Sequence, residues 1–199
     1  MRDLEIRGAG NLLGEQQSGH MESVGYDLYC KMLNEAVKEE RGEALEADFE
    51  TTIDLDMDAY IPATYIRNEF QKLEIYKRIA AIANEEEYEE MADELMDRYG
   101  ELPRAAQNLL AIALLKAQAH EAGIASITHR GNETKIVMYP KAGVMGERIP
   151  ALLQKYRNAM KFTVGEAPYF TVKTKSGPGF DIIRCEKILI GDIKSLLGE

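Results

Sequence analysis

The spacing of hydrophobic positions changes several times along the chain. Residues 1–20 scatter Leu4, Ile6, Leu12 and Leu13 among glycines, glutamines and charges without a sustained repeat, which predicts an irregular loop. From Met21 a four-residue spacing sets in. Val24, Leu28, Met32 and Ala36, flanked by Leu33 and Val37, predict a helix over about 21–41, closed by Gly42. Residues 42–52 hold four acidic side chains and no period, and read as a linker. Ile53, Leu55 and Met57 then alternate with Asp54, Asp56 and Asp58, the pattern of a half-buried strand that Pro62 ends.

A helical period returns over about 64–84, with Ile66, Phe70 and Leu73 on one stripe and Ile75, Ile79 and Ile82 continuing it. A second helix is predicted from Glu86 to Tyr99, before Gly100. A third runs from Pro103, well suited to a first helical position, to Ala122, with Gly123 as its stop. Its run Leu109–Leu115 is apolar nearly all round and belongs at the centre of a core. Beyond it, Ile124–His129 and Thr134–Tyr139 predict a hairpin turning at Gly131-Asn132. A short helix is expected at Pro150–Tyr156. Strands are expected at 162–164, 169–175 and 180–184, the last two joined through Ser176-Gly177-Pro178-Gly179, with Cys185 at a strand end, and a final helix over about 186–197. Helices first and antiparallel hairpins afterwards predict an α+β fold, divided as a loop (1–20), a linker helix with its acidic linker (21–52) and a domain (53–199).

The longest apolar run covers seven residues, against the roughly 20 that a membrane span requires. Met1-Arg2-Asp3-Leu4-Glu5 has no apolar core after it, so no secretory signal is read, and the two cysteines, Cys30 and Cys185, show no CxxC spacing. A reducing, cytoplasmic setting follows as the expectation. Charge is unevenly spread: residues 1–100 carry 25 acidic and 10 basic side chains, residues 101–199 carry 9 and 14. The acidic first half repels phosphate, so any nucleic-acid contact has to be local.

Several chemistries fail on their spacing. There is no GxxxxGK[ST] to cradle a triphosphate, and Gly8, Gly10 and Gly14 stand as GxGxxxG with no strand before them. Asp54, Asp56 and Asp58 imitate a calcium loop, but Ala59 and Tyr65 occupy its glycine and bidentate-glutamate positions. His20, His120 and His129 are scattered and read as surface or packing residues, while Cys30 and Cys185 read as small apolar residues. The expectation is a chain with no catalytic residues, no metal ligands and no cofactor of its own.

One segment is specific. Residues 3–19, DLEIRGAGNLLGEQQSG, resemble the signature that closes the motor of the bacterial transcription-repair coupling factor family, and MESVGYDLYCKMLNEAV continues the likeness. YKRIA at 76–80, ELMDRYGELP at 94–103 and the Gly123-Ile124 pair are similar to that family's C-terminal domain. The resemblance implies a parent that is an ATP-driven DNA translocase of the helicase superfamily, with ATP and Mg held by motor lobes that this sequence does not contain. It implies that Arg7 and Gln17 couple hydrolysis to stepping, with Gly8 and Gly10 letting their loop bend. An Arg fork and a Gln amide suit such contacts, although from spacing alone the segment reads first as a solvated turn, and it is the resemblance that points to coupling.

For residues 53–199 the resemblance implies an autoinhibitory interaction domain. Its partner would be the repair-recruiting N-terminal module of the same protein, and through it RNA polymerase, the damage-recognition ATPase of excision repair and duplex DNA. Two faces are candidates for contact. Glu86, Glu87, Glu90, Asp93, Glu94 and Asp97 crowd one helix with little compensation except Arg98, and either form a solvated face or steer a basic partner. Lys155, Arg157, Lys161, Lys173 and Lys175 form the alternative basic patch, without a visible set of stacking aromatics. A freestanding small α+β enzyme and a nucleic-acid-binding module are the competing readings.

Overall fold

Asn68, Asn84 and Asp181 each turn a side-chain oxygen back onto the backbone N–H three residues ahead, and a helix starts at each of these points. They open three of the five helices in the computed structural model, which describes residues 49–174 and 181–197. The helices are α1 (Glu69–Ala80), α2 (Glu85–Tyr99), α3 (Arg104–Glu121), α4 (Ile149–Tyr156) and α5 (Ile182–Lys194). The chain divides into two units, Met1–Glu43 and Ala44–Glu199. All described residues belong to the second unit, and the loop expected at 1–20 and the helix expected at 21–41 lie outside them.

Five strands, β1 (Thr52–Asp54), β2 (Ile124–Arg130), β3 (Glu133–Met138), β4 (Met160–Thr163) and β5 (Tyr169–Lys173), form one sheet in the order β1-β2-β3-β5-β4. The expected hairpin is present: His129 opposes Thr134 and Arg130 opposes Glu133 across the Gly131-Asn132 turn. Gly131 sits at φ 62°, which glycine adopts without a Cβ penalty. The fold is mixed α and β, as expected from the pattern, but the sheet is not purely antiparallel. β1 lies parallel to β2, Thr52–Asp54 against Ser126–Thr128, because the three helices between them carry the chain back across the sheet.

The strands alternate between two environments. Ile127, Ile136, Met138, Phe170, Val172 and Met160 are buried, while Lys135 and Lys161 flank Thr171 on the opposite face. α3 packs on β1 and β2, and α5 packs on α3. Within α3, Leu109, Leu110, Ile112, Ala113, Leu114 and Leu115 are all buried, so the apolar run does occupy the core. At the helix end Gly123 takes φ 66°, and a Cβ there would stand 2.4 Å from the Ala142 Cβ, so both conformation and space require glycine.

Three expectations are corrected. The strand at 53–58 ends at Asp54, where the chain leaves the sheet and Met57 N–H turns back to the Leu55 carbonyl. The helix expected from Thr64 begins only at Glu69 behind its Asn68 cap, which leaves Ile66 buried in the preceding turn and Phe70 76% exposed. The strand expected at 180–184 is the start of α5: Asp181 caps it, and Cys185 lies in the helix rather than at a strand end. Glu186, Leu189, Ile190 and Ile193 form the buried stripe that orients α5.

Candidate functional site

The acidic run folds as α2, and the helical period sorts its side chains. Glu86, Glu90, Asp93 and Asp97 follow one another at intervals of four, three and four, so they share one stripe, and all four are exposed. Met91 and Leu95 are buried on the opposite side. None of the four stripe residues forms an ion pair among the described residues. Glu87 and Glu94, expected to act with them, serve the fold instead. Glu87 accepts the Ala83 N–H at 2.8 Å, beside the Asn84 cap. Glu94 receives both guanidinium arms of Arg78, at 2.7 and 2.5 Å, and one arm of Arg98 at 2.8 Å. Hydrogen bonds from Arg78 and then Arg98 hold its carboxyl down at about 2.

Unpaired, the stripe sets like charges at adjacent helical positions, each pair costing a few tenths of a kcal/mol by the usual spacing rule (~0.2–0.5). Glu85, Glu86 and Glu87 recover part of this at the helix N-terminus. A surface that repels itself in this way is suited to a cationic partner, which would arrive faster for it.

Among the described basic candidates, Lys161 and Lys173 share the outer face of the β4–β5 pair, while Lys155 is engaged elsewhere. Lys155 is taken up by Asp192 of α5, with Nζ 2.7 Å from each carboxylate oxygen. Lys161 and Lys173 stand on β4 and β5, Lys173 opposite Glu133 in register, and Lys175 lies outside the described residues. Arg157 takes φ 50° at the end of α4. Arg7, Gln17, Gly8 and Gly10 also lie outside the described residues.

Two of the histidines have built surroundings. His120 stacks on Phe49 at 4.5 Å, Phe49 stacks on Tyr139 at 4.3 Å, and the Thr51 hydroxyl meets His120 Nδ1 at 3.3 Å. His129, 5% exposed, joins a buried polar bridge. Its Nδ1 lies 2.9 Å from Thr134 Oγ1, Thr134 Oγ1 lies 2.7 Å from Glu186 Oε1, and its Nε2 lies 3.1 Å from the Gly131 carbonyl. Burial pushes the Glu186 carboxyl up to about 7, against the lowering effect of Thr134. Sequence spacing did not single out Glu186. The available signal was an acid standing in line with Leu189, Ile190 and Ile193 on an otherwise apolar stripe.

His129 and Gly131 also form one wall of a cavity of about 520 Å³, completed by residues including Asp56, Asp58, Arg104 and Asn108. Asn108 Nδ2 donates to the Asp58 carbonyl at 2.7 Å and ties the wall to α3. Among the described residues, no lining residue is a serine, threonine or cysteine, and no three metal-ligating side chains gather. Cys185 is half-buried, its thiol pushed up by burial and then by Glu186 and Asp181. No described helix is long and apolar enough to cross a membrane.

Comparison with known proteins agrees with this architecture. A family model described as the TRCF domain matches residues 55–149. The transcription-repair-coupling factor of Staphylococcus epidermidis is 42% identical over 195 residues, covering 93% of this chain and 16% of that protein. That of Bacillus subtilis is 41% identical over 159 residues, 78% of this chain and 14% of that protein. The chain therefore spans about a sixth of the length of these curated relatives. A crystal structure of the C-terminal domain of transcription-repair coupling factor superposes with a TM-score of 0.61 at 25% identity, over 74% of this chain and 94% of that one.

Proposed function

Because the chain belongs to the transcription-repair coupling factor family and carries that family's C-terminal domain, we propose that it is the regulatory end of an ATP-dependent DNA translocase. The parent displaces stalled RNA polymerase and recruits the excision-repair machinery, and ATP and Mg act in its motor lobes. In this reading Arg7 and Gln17, with Gly8 and Gly10 at the bend, transmit hydrolysis to stepping. The folded domain holds the parent inactive by docking on its N-terminal, repair-recruiting module.

One observation carries the docking reading: Glu86, Glu90, Asp93 and Asp97 form an exposed acidic stripe that no ion pair among the described residues neutralises. Glu87 and Glu94 flank it but are committed to the Ala83 amide and to Arg78 and Arg98. A cationic surface on the N-terminal module is the partner that fits, since opposite charge favours both encounter and register.

The test uses the full-length family protein in three forms: intact, lacking residues 53–199, and carrying Glu90→Lys with Asp93→Lys. Deletion is expected to raise both the ATPase rate and binding of the damage-recognition ATPase. The charge reversal should reproduce both gains with the domain still folded. If deletion changes neither quantity, the regulatory reading fails. If deletion activates and charge reversal does not, the domain docks through another face.

A further inference from the structure

α5 reaches the rest of the domain through several polar contacts of different depth. Lys187 pairs with Glu85 of α2, Lys194 with Glu121 of α3, and Asp192 with Lys155 of α4. In each of these pairs at least one partner is about half exposed or more, and contacts of that kind contribute little. Glu186 alone is fully buried, and it reaches the sheet through Thr134 of β3 and His129 of β2. Whatever charge Glu186 carries is therefore felt in full by the attachment of α5.

Counting hydrogen-bond donors shows two ways to fill the same bridge. With Glu186 ionised, the Thr134 hydroxyl donates to Oε1, so the Thr134 oxygen accepts from Nδ1–H of His129. The Gly131 carbonyl is an acceptor and takes Nε2–H, so the imidazole then carries both protons and faces the carboxylate across 3.8 Å. With Glu186 protonated, its proton goes to the Thr134 oxygen, the Thr134 hydrogen swings to Nδ1, and Nε2–H stays on Gly131. The two arrangements differ by one proton passed along the three residues, and both are neutral overall. The other carboxylate oxygen, Glu186 Oε2, is buried with no hydrogen-bond partner among the described residues, which favours the acid form.

We infer that His129, Thr134 and Glu186 are a proton-holding latch: one shared proton fastens α5 to the β2–β3 hairpin, and loss of that proton loosens the helix. Without it an uncompensated carboxylate is left buried between α5 and the sheet. Among the described residues, the remaining titratable groups near Glu186 are its own neighbours Cys185 and Asp181 on the α5 side, and Arg104 of α3 across the adjoining cavity. None of them supplies a cation within ion-pairing distance of Glu186. The raised carboxyl fits this latch, since its contribution is complete below the unfolded-state value of about 4.3 and is lost as pH rises through about 7.

The test is hydrogen exchange of α5 amides in this chain between pH 5 and 8.5, corrected for intrinsic rates and run beside Glu186→Gln. Gln keeps a neutral donor toward Thr134. The expected result is that α5 protection in the unmodified chain, taken relative to Glu186→Gln, falls with rising pH, by up to about tenfold per unit while one proton is linked. The α3 amides should respond less in both proteins. An identical pH profile in the two proteins overturns the latch. Should the variant fail to fold, the Glu186 side-chain carboxyl resonance of the unmodified chain decides the matter. A midpoint near 7 supports the latch, and an ordinary midpoint near 4.3 overturns it.

Discussion

α3 and α5 lie against each other and are held by different forces. α3 is anchored by aliphatic contact, and all of its buried side chains are apolar. α5 buries Leu189, Ile190 and Ile193, but its fourth buried position is Glu186 and its outer turns are tied by ion pairs. Apolar burial is indifferent to pH and salt, whereas each polar tie can be changed by a proton or a counter-ion. One helix of the pair is therefore a fixed support and the other an adjustable part.

The largest effect that would break this contrast is in α3. Leu110 is 0% exposed, and Leu110→Ala leaves a cavity among rigid neighbours. The expected loss is about 2–5 kcal/mol, a fall in Tm on the order of 10 °C, unchanged between pH 5 and 8. Thermal unfolding followed by circular dichroism measures it. A loss below about 1 kcal/mol would mean that α3 can repack and is not the fixed member of the pair.

The same contrast explains which parts of the fold were legible in the sequence. α3 announced itself because aliphatic residues on nearly every side of a helix, bounded by Pro103 and Gly123, leave few alternative structures. The start of α5 reads as a strand because Ile182 and Ile183 are β-branched. The Asp181 cap and the spacing of 186, 189, 190 and 193 overrule that local preference. The bridge was not legible because it assembles residues from 129, 134 and 186, and no local spacing encodes a contact across that distance. The parallel placement of β1 beside β2 was hidden for the same reason. The acidic helix, by contrast, was legible as a run of residues, and only its division into a free stripe and two committed carboxylates required the structure.

A smaller effect sharpens the contrast at the far end of α5. The Tyr156 hydroxyl donates to Asp192 Oδ2 at 2.5 Å, and Lys155 holds both carboxylate oxygens. Burial first, and then the hydrogen bond and charge of Asp192, push the phenol well above its usual range. Asp192→Asn should cost about 1 kcal/mol, less than Leu110→Ala, because one member of the pair is well exposed. It should also bring the Tyr156 phenol back toward its ordinary value without reaching it, since the burial remains. Alkaline difference absorbance against Tyr156→Phe isolates that one phenol. An unmoved phenol would show that Asp192 does not act on it.

The smallest effect concerns Glu94, and its value lies in its sign. Glu94 binds Arg78 and Arg98 at an open surface, so Glu94→Gln should change stability at pH 7 by no more than about 0.5–1 kcal/mol. Its carboxyl is held down at about 2, below the unfolded-state value of about 4.3. Its contribution is therefore present above pH 4.3 and fades as pH falls toward 2, so the unmodified chain and Glu94→Gln should converge in acid. Glu186 runs the other way: its raised carboxyl stabilises the fold in mild acid and loses that contribution as pH rises through about 7. Tm measured from pH 2.5 to 8.5 for the unmodified chain and both glutamine variants should give two difference curves of opposite slope. Curves of the same slope would mean that burial does not separate the two glutamates, and the division into a fixed and an adjustable helix would lose its basis.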